Sequence, residues 1–304
     1  MATVPDHAVL DWVAGMIGGD ATVRVVRGLR AGDNPWLLRI TQRGRTTEAV
    51  LKTVDPARPA RLFTEIAALR LAEEQGVAAP RIIGYDTGDT GSGSVALLQT
   101  VVPGRSAIPI EPTAARLRAM GAVAGALRTI AVEPSPQLPV RTRPIAARDF
   151  ARERAVGTDR TTPLLRYADE RIRRHPVPVG DLVLVHGDLW QGNLMWTGDA
   201  VTGLIDWDMA EVGDNGIDLS ALRLDAALMF GGNAADQVLA SWADVTGVRP
   251  QSLAYWDAVA AQNLPSDLAL SLATIHVQGR HDLSAATLNA RRDAFLTAAL
   301  NRLG

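Results

Sequence analysis

The chain has no cysteine, and of its 31 basic residues only Lys52 is a lysine. Without cysteine there is neither a disulfide scaffold nor a thiolate metal site. Aromatic residues are scarce at 5%, yet 47% of the chain is hydrophobic, enough to build a core and to exclude disorder. No apolar run approaches the roughly 18 residues of a membrane span. The first twenty residues carry Asp6, Asp11 and Asp20 with no basic lead-in, which disfavours a secretory signal. A net charge of −2 lacks the basic excess of a dedicated nucleic-acid binder. What remains is a soluble, cytoplasmic protein, a monomer or homodimer, with no membrane or nucleic-acid partner. At roughly 100–200 residues per domain, the length suits two lobes or one large domain.

Charge is unevenly spread. Residues 1–103 hold 11 acids and 11 bases; 104–184 hold 8 and 14; 185–304 hold 14 and 6. The acidic surplus of the last third suggests either a functional surface there or a merely solvated one. The first hundred residues are rich in strand signals. Val23–Leu29 and Trp36–Thr41 flank a turn-rich tip containing Gly32, Asp33, Asn34 and Pro35, so a hairpin is expected. Thr46–Thr53 follows as a strand ending at Lys52, then a helix over Arg61–Gln75 stopped by Gly76. Arg81–Tyr85 and Ser94–Thr100 read as two more strands, closed by Pro103-Gly104 as a hinge. Beyond it the chain is mainly helical, with short strand-like pieces at Leu182–Val185, Asn193–Trp196 and Gly203–Ile205.

The chemistry concentrates in Val185-His186-Gly187-Asp188-Leu189-Trp190-Gln191-Gly192-Asn193 and in Ile205-Asp206. Asp188 follows an apolar strand on a glycine-containing turn, a position that projects its carboxylate into a cleft. If the two following strands form a hairpin, Asn193 and Asp206 meet at one end. A carboxylate with an amide oxygen suits Mg²⁺, a hard ion that takes few protein oxygens alongside substrate phosphates. Asp188 beside it is placed to accept a proton from a hydroxyl.

His-Gly-Asp-x4-Asn followed by Ile-Asp resembles the core of the aminoglycoside phosphotransferase and choline kinase-like family of small-molecule kinases. The resemblance implies an α+β fold of protein-kinase type. Its N-terminal antiparallel sheet with one main helix would form a nucleotide lobe over 1–102. A larger, mainly helical catalytic and acceptor lobe would occupy 103–304. It implies Asp188 as catalytic base, Asn193 and Asp206 on Mg²⁺, and ATP or GTP as donor. Such a kinase needs a strand lysine on the phosphates and a helix glutamate to hold it; Lys52 and Glu65, thirteen residues apart, fit. The hairpin 23–41 would cover the phosphates with Asn34 at its tip, and the adenine would meet backbone groups of Thr100 and Val102. His186 is expected to brace the loop, Asp218 to cap the helix that follows it, and Asp214 to brace the catalytic loop.

The implied substrate is a small-molecule hydroxyl acceptor of antibiotic type: an aminoglycoside, a cationic peptide antibiotic or a macrolide, with antibiotic resistance as the role. The acidic last third favours a cationic acceptor, with Asp208, Asp225, Asp257 and Asp267 as amine partners. Trp242, Tyr255 and Trp256 would line a macrolide pocket or simply pack helix on helix. A fructosamine, sugar, choline or homoserine kinase is the alternative, and an inactive nucleotide-binding protein a further one.

Overall fold

The computed structural model describes residues 4–30, 32–57, 59–88, 94–141 and 148–303. The chain divides into two compact units, Met1–Pro103 and Gly104–Gly304.

The first unit is built on strands β1 (Thr22–Arg30), β2 (Asp33–Gln42), β3 (Arg45–Val54), β4 (Ile82–Thr87) and β5 (Val95–Thr100). They form one sheet in the order β1-β2-β3-β5-β4, with every neighbouring pair antiparallel. Alternate side chains of a strand point to opposite faces. Trp36, Leu38 and Ile40 of β2 and Ala49 and Leu51 of β3 are accordingly buried together on one face. Helix α1 (His7–Ile17) covers that face through Val9 and Val13, one turn apart. No helix is expected here from the sequence pattern. Its signals were Asp6, whose carboxylate accepts the Ala8 N–H at 3.1 Å, and the Val9/Val13 spacing. Lys52 is out of phase with Leu51 and shares the opposite face with its cross-strand neighbour Leu97. Helix α2 (Ala60–Glu74) buries Leu62, Ile66 and Leu69, and with them Glu65.

The second unit contains α3 (Ala114–Leu127), α4 (Phe150–Ala155), α5 (Pro163–Arg174), α6 (Gly216–Phe230), α7 (Ala234–Thr246), α8 (Leu253–Gln262), α9 (Leu272–Val277) and α10 (Ala285–Arg302). Between α5 and α6 lie four short strands: β6 (Val183–Val185), β7 (Leu194–Thr197), β8 (Ala200–Leu204) and β9 (Glu211–Gly213). They form two ribbons, β6 with β9 and β7 with β8. Helix α6 is buried along its whole length except at Ala221 and Phe230, as befits a central helix that is apolar nearly all round. Helix α3 packs on α7 at a glycine: a Cβ on Gly121 would stand 2.3 Å from the Val238 carbonyl oxygen. Asn215, just before α6, ties the same three helices. Its amide donates to the Ala124 carbonyl at 3.0 Å and accepts the Trp242 indole N–H at 2.8 Å. Trp242, Tyr255 and Trp256 are all buried in helix packing.

Candidate active site

In the second unit the loop after β6 carries His186-Gly187-Asp188. β6 is fully buried and paired to β9, so the loop leaves from a fixed base. Gly187 has φ +80°, and a Cβ there would lie 2.2 Å from the Met209 carbonyl oxygen. Only glycine takes that turn without strain or collision. His186 is fully buried, and its Nε2 lies 3.0 Å from the Ile205 carbonyl oxygen. A carbonyl only accepts, so Nε2 carries the proton and Nδ1 is left to face the Asp188 N–H at 3.4 Å. The imidazole is therefore a brace, with the Trp207 ring against it at 4.7 Å.

The stronger brace is Asp218. Its two carboxylate oxygens accept the backbone N–H groups of His186 at 2.7 Å and Gly187 at 3.0 Å. Burial pushes its carboxyl up to about 6, against those hydrogen bonds and the nearby Arg141, which pull it down. The expected role of Asp218 is thus corrected. It sits inside the first turn of α6 and holds the catalytic loop, whereas Asp214 accepts the Gly216 N–H at 2.7 Å and serves the helix start. The two aspartates are four residues apart, and spacing alone does not tell which one faces the loop.

Asn193 closes a short 3-10 turn, Gln191–Asn193. Its Nδ2 donates to the Asp188 backbone oxygen at 2.8 Å and to the Asp188 carboxylate at 3.1 Å. With Nδ2 committed to Asp188, the amide oxygen is the group's remaining electron-pair donor. Strands β7 and β8 form a hairpin with Leu194 opposite Leu204. At its open end the Ile205 N–H donates to the Asn193 carbonyl at 3.0 Å. Ile205 thereby pins Asn193 through its N–H and His186 through its carbonyl. Asp206 comes next, at φ +68°, an uncommon left-handed backbone that aspartate tolerates better than most residues. The structure therefore gathers Asp188, Asn193 and Asp206 around one pin. A carboxylate and an amide oxygen at the end of a hairpin form a donor set for a hard divalent cation.

Two residues in this neighbourhood had not been singled out. Gln191 is fully buried, and its N–H and Nε2 donate to Asp225 at 3.3 and 2.8 Å. Its Oε1 accepts from Arg116 Nε at 2.9 Å, and Arg116 lies over the Trp196 ring at 3.8 Å. This relay fixes the turn from below. Its partners lie 75 and 34 residues from Gln191, a distance no local pattern bridges.

In the first unit Lys52 Nζ donates to both carboxylate oxygens of Glu65, at 2.7 and 2.8 Å. The Glu65 side chain is 1% exposed and that of Lys52 13%, so the pair is nearly withdrawn from water. Asn34 Nδ2 donates to the Thr53 carbonyl at 2.7 Å and its Oδ1 accepts the Thr53 N–H at 3.2 Å. Both ends of the amide thus zip the tip of β2 to β3, and the second Nδ2 N–H is not used in these bonds. Thr100 has its N–H bonded to the Arg81 carbonyl at 2.9 Å and its hydroxyl to the Arg81 N–H at 2.9 Å. Among the described residues the backbone groups of Val102 make no hydrogen bond.

A cavity of about 390 Å³ opens beside Asp188, entirely within the second unit. Asp225 lines it, but Asp208 and Asp267 do not. Asp267 is exposed and accepts the Ala269 N–H at 2.9 Å, capping the turn Leu268–Ser271, and this holds its carboxyl below the usual range. Asp257 is buried against Arg223 at 3.1 Å and Arg302 at 3.0 Å. Trp242, Tyr255 and Trp256 also lie outside the lining. Charge balance and aromatic content could not indicate which side chains face a cavity.

The profile described as the phosphotransferase enzyme family, APH, matches residues 25–261. No curated protein matches the chain by sequence. Among solved structures, the macrolide 2′-phosphotransferase MphH from Brachybacterium faecium is 21% identical, with a TM-score of 0.57 over 97% of this chain and 98% of its own. An amicoumacin kinase in complex with AMP-PNP, Ca²⁺ and its ligand is 13% identical, with a TM-score of 0.56 over 99% and 93%. The aminoglycoside phosphotransferase APH(3'')-Id from Streptomyces rimosus, in complex with ADP and streptomycin, is 21% identical, with a TM-score of 0.52 over 84% and 97%. At such identities the likeness establishes the α+β, protein-kinase-like fold.

Proposed function

Because the chain belongs to the phosphotransferase enzyme family, we propose that it is a small-molecule kinase. It transfers the terminal phosphoryl group of ATP or GTP to a hydroxyl of an antibiotic-like acceptor: an aminoglycoside, a cationic peptide antibiotic or a macrolide. Resistance by phosphorylation is the role this suggests. The observation that carries the reading is the loop from His186 to Asn193. It presents Asp188 from a doubly braced turn and ties Asn193 to it at 3.1 Å. The buried Lys52–Glu65 pair supplies the cation that a nucleotide site requires. The similar structures carry names of enzymes acting on macrolide, amicoumacin and aminoglycoside, two of them in complex with an adenine nucleotide.

In this mechanism Lys52, oriented by Glu65, neutralises phosphate charge as a compact ammonium. Asp188 orients the acceptor hydroxyl. The acceptor oxygen forms a bond to the terminal phosphorus, the bond to the bridging oxygen breaks, and the nucleoside diphosphate leaves. The hydroxyl proton passes to the Asp188 carboxylate. Asn193 and Asp206 would hold a divalent cation, Mg²⁺ in the physiological reaction, which supplies electrostatic neutralisation of the phosphate oxygens. Within each unit the groups are held by the bonds described, and catalysis on this reading is mainly orientation and electrostatics. Asp188→Ala should abolish transfer, measured as acceptor-dependent release of diphosphate, while nucleotide binding by calorimetry persists. Full turnover by that variant would sink the assignment.

A further inference from the structure

From the walls of the cavity beside Asp188 we infer that the acceptor is an apolar-bodied alcohol with no more than one cationic group, and not a polyamine. This rests on the kinase reading above and narrows it. At about 390 Å³ the cavity lies within the roughly 300–1,000 Å³ of small-molecule sites. Trp190, Leu224, Leu228, Leu264, Ile275 and Leu288 contribute large apolar side chains to its wall. These residues belong to, or pack on, the main apolar core of the second unit, so the cavity is a recess in that core. At its rim Leu270, 67% exposed, adds an apolar side chain beside the exposed Thr274.

Asp188 and Asp225 are the only ionisable side chains lining the cavity among the described residues. Asp188 is committed to the reacting hydroxyl. Asp225 is 6% exposed, and its Oδ2 already accepts two hydrogen bonds from Gln191. A second and third ammonium entering here would lose water and find no carboxylate, and an unpaired buried charge is strongly unfavourable. The polar lining is uncharged: Asn263, Ser271 and Thr274. Asn263 donates through Nδ2 to the Arg148 carbonyl at 3.3 Å, and its buried Oδ1 has no partner among the described residues.

The test uses the full-length protein and N-phenyl-1-naphthylamine, a neutral fluorophore that brightens in apolar sites. The probe should bind, erythromycin (an apolar polyol with a single amine) should displace it, and streptomycin should not. Ala260→Glu, in the wall, should weaken probe binding at least about tenfold. Leu270→Glu, at an exposed position that tolerates charge, should weaken it about fivefold. Unchanged melting curves exclude misfolding. The inference is overturned if the probe fails to bind the folded wild type, if streptomycin displaces it at lower concentration than erythromycin, or if both glutamate variants bind it normally. Nucleotide turnover is read separately: probe binding with no turnover of any acceptor would refute the kinase reading and leave the cavity's chemistry standing.

Discussion

Asp218→Asn separates what the buried carboxylate does for stability from what it does for the loop. The two oxygens of Asp218 accept N–H groups at 2.7 and 3.0 Å. Asparagine keeps one oxygen and puts an N–H where the other stood. One hydrogen bond to a charged acceptor, worth about 1.5–3 kcal/mol, is lost, and two donors are brought face to face. Against this, burial holds the Asp218 carboxyl at about 6 instead of 3.8. That difference disfavours the buried anion by on the order of 3 kcal/mol, which the neutral amide avoids. The two effects nearly cancel, so the unfolding free energy near neutral pH should change by less than about 2 kcal/mol. Loop geometry has no such compensation. A shift of Asp188 by even about 1 Å should lower kcat about 100-fold, with nucleotide KM little changed. The pH dependence has a definite sign. The folded-state pKa lies above the unfolded one, so the stability linked to protonated Asp218 is full below about pH 4. It is lost as pH rises through about 6. Wild-type stability relative to the variant should therefore fall by on the order of 3 kcal/mol across that window. Asp225 is likewise pushed up to about 6 by burial, but it is present in both proteins and cancels in the difference. Urea midpoints at a series of pH values and steady-state kinetics give both readings. Wild-type kcat in the variant, or a stability difference flat across the window, would refute the brace.

Two other substitutions probe the remaining structural claims. Lys52→Arg replaces a compact ammonium seated between two carboxylate oxygens with a wider planar fork. The kcat/KM for nucleotide should drop by roughly 100-fold, and near-normal nucleotide kinetics would remove Lys52 from the mechanism. Gly121→Ala drives a methyl toward the Val238 carbonyl oxygen, 2.3 Å away, forcing α3 from α7. The overpacking, about 1–3 kcal/mol, is set against the roughly 1 kcal/mol alanine gains as a helix former, so a net loss of up to about 2 kcal/mol is expected from urea unfolding.

Legibility in the sequence followed the range of the interaction concerned. The Lys52–Glu65 pair was readable because a strand end and the next helix leave few ways to satisfy a lone lysine. The His-Gly-Asp-x4-Asn segment was readable because turn, base and amide lie within eight residues, and the hairpin β7–β8 carries its register to Asp206. Other features depend on partners far along the chain. Gln191 joins Arg116 to Asp225 across separate helices, and nothing near any of the three announces it. Strand β9 has three residues and is defined by its partners far along the chain, β6 and the segment around Val140. The bonds from Asn34 to the Thr53 backbone depend on the register of β2 against β3, which no local pattern at the loop tip announces. Asp214 and Asp218 exchanged roles because which carboxylate turns toward the catalytic loop depends on the rotation of α6, a tertiary quantity.

The arginine-rich composition and the acidic last third turn out to be linked. Net charge says what a surface attracts only if the charges are on that surface. Arg154 pairs with Asp169 at 2.8 Å, Arg223 with Asp257 at 3.1 Å, Arg280 with Asp282 at 2.8 Å and Arg292 with Asp293 at 2.9 Å. All four guanidinium side chains are no more than 2% exposed. Each also donates to backbone carbonyls: Gln262, Ala235, Met229 and Pro265 respectively, at 2.6–2.7 Å. A planar fork can grip a carboxylate and a helix end at once, which a lysine ammonium does less well. The arginines therefore act as internal fasteners, and several of the acids that made the last third look cation-seeking are their counterions. Of the remaining acids, Asp218 holds a loop and Asp267 caps a turn. None of these acids lines the cavity beside Asp188, whose ionisable side chains among the described residues are Asp188 and Asp225, so the net charge of the last third is not the charge of the cavity.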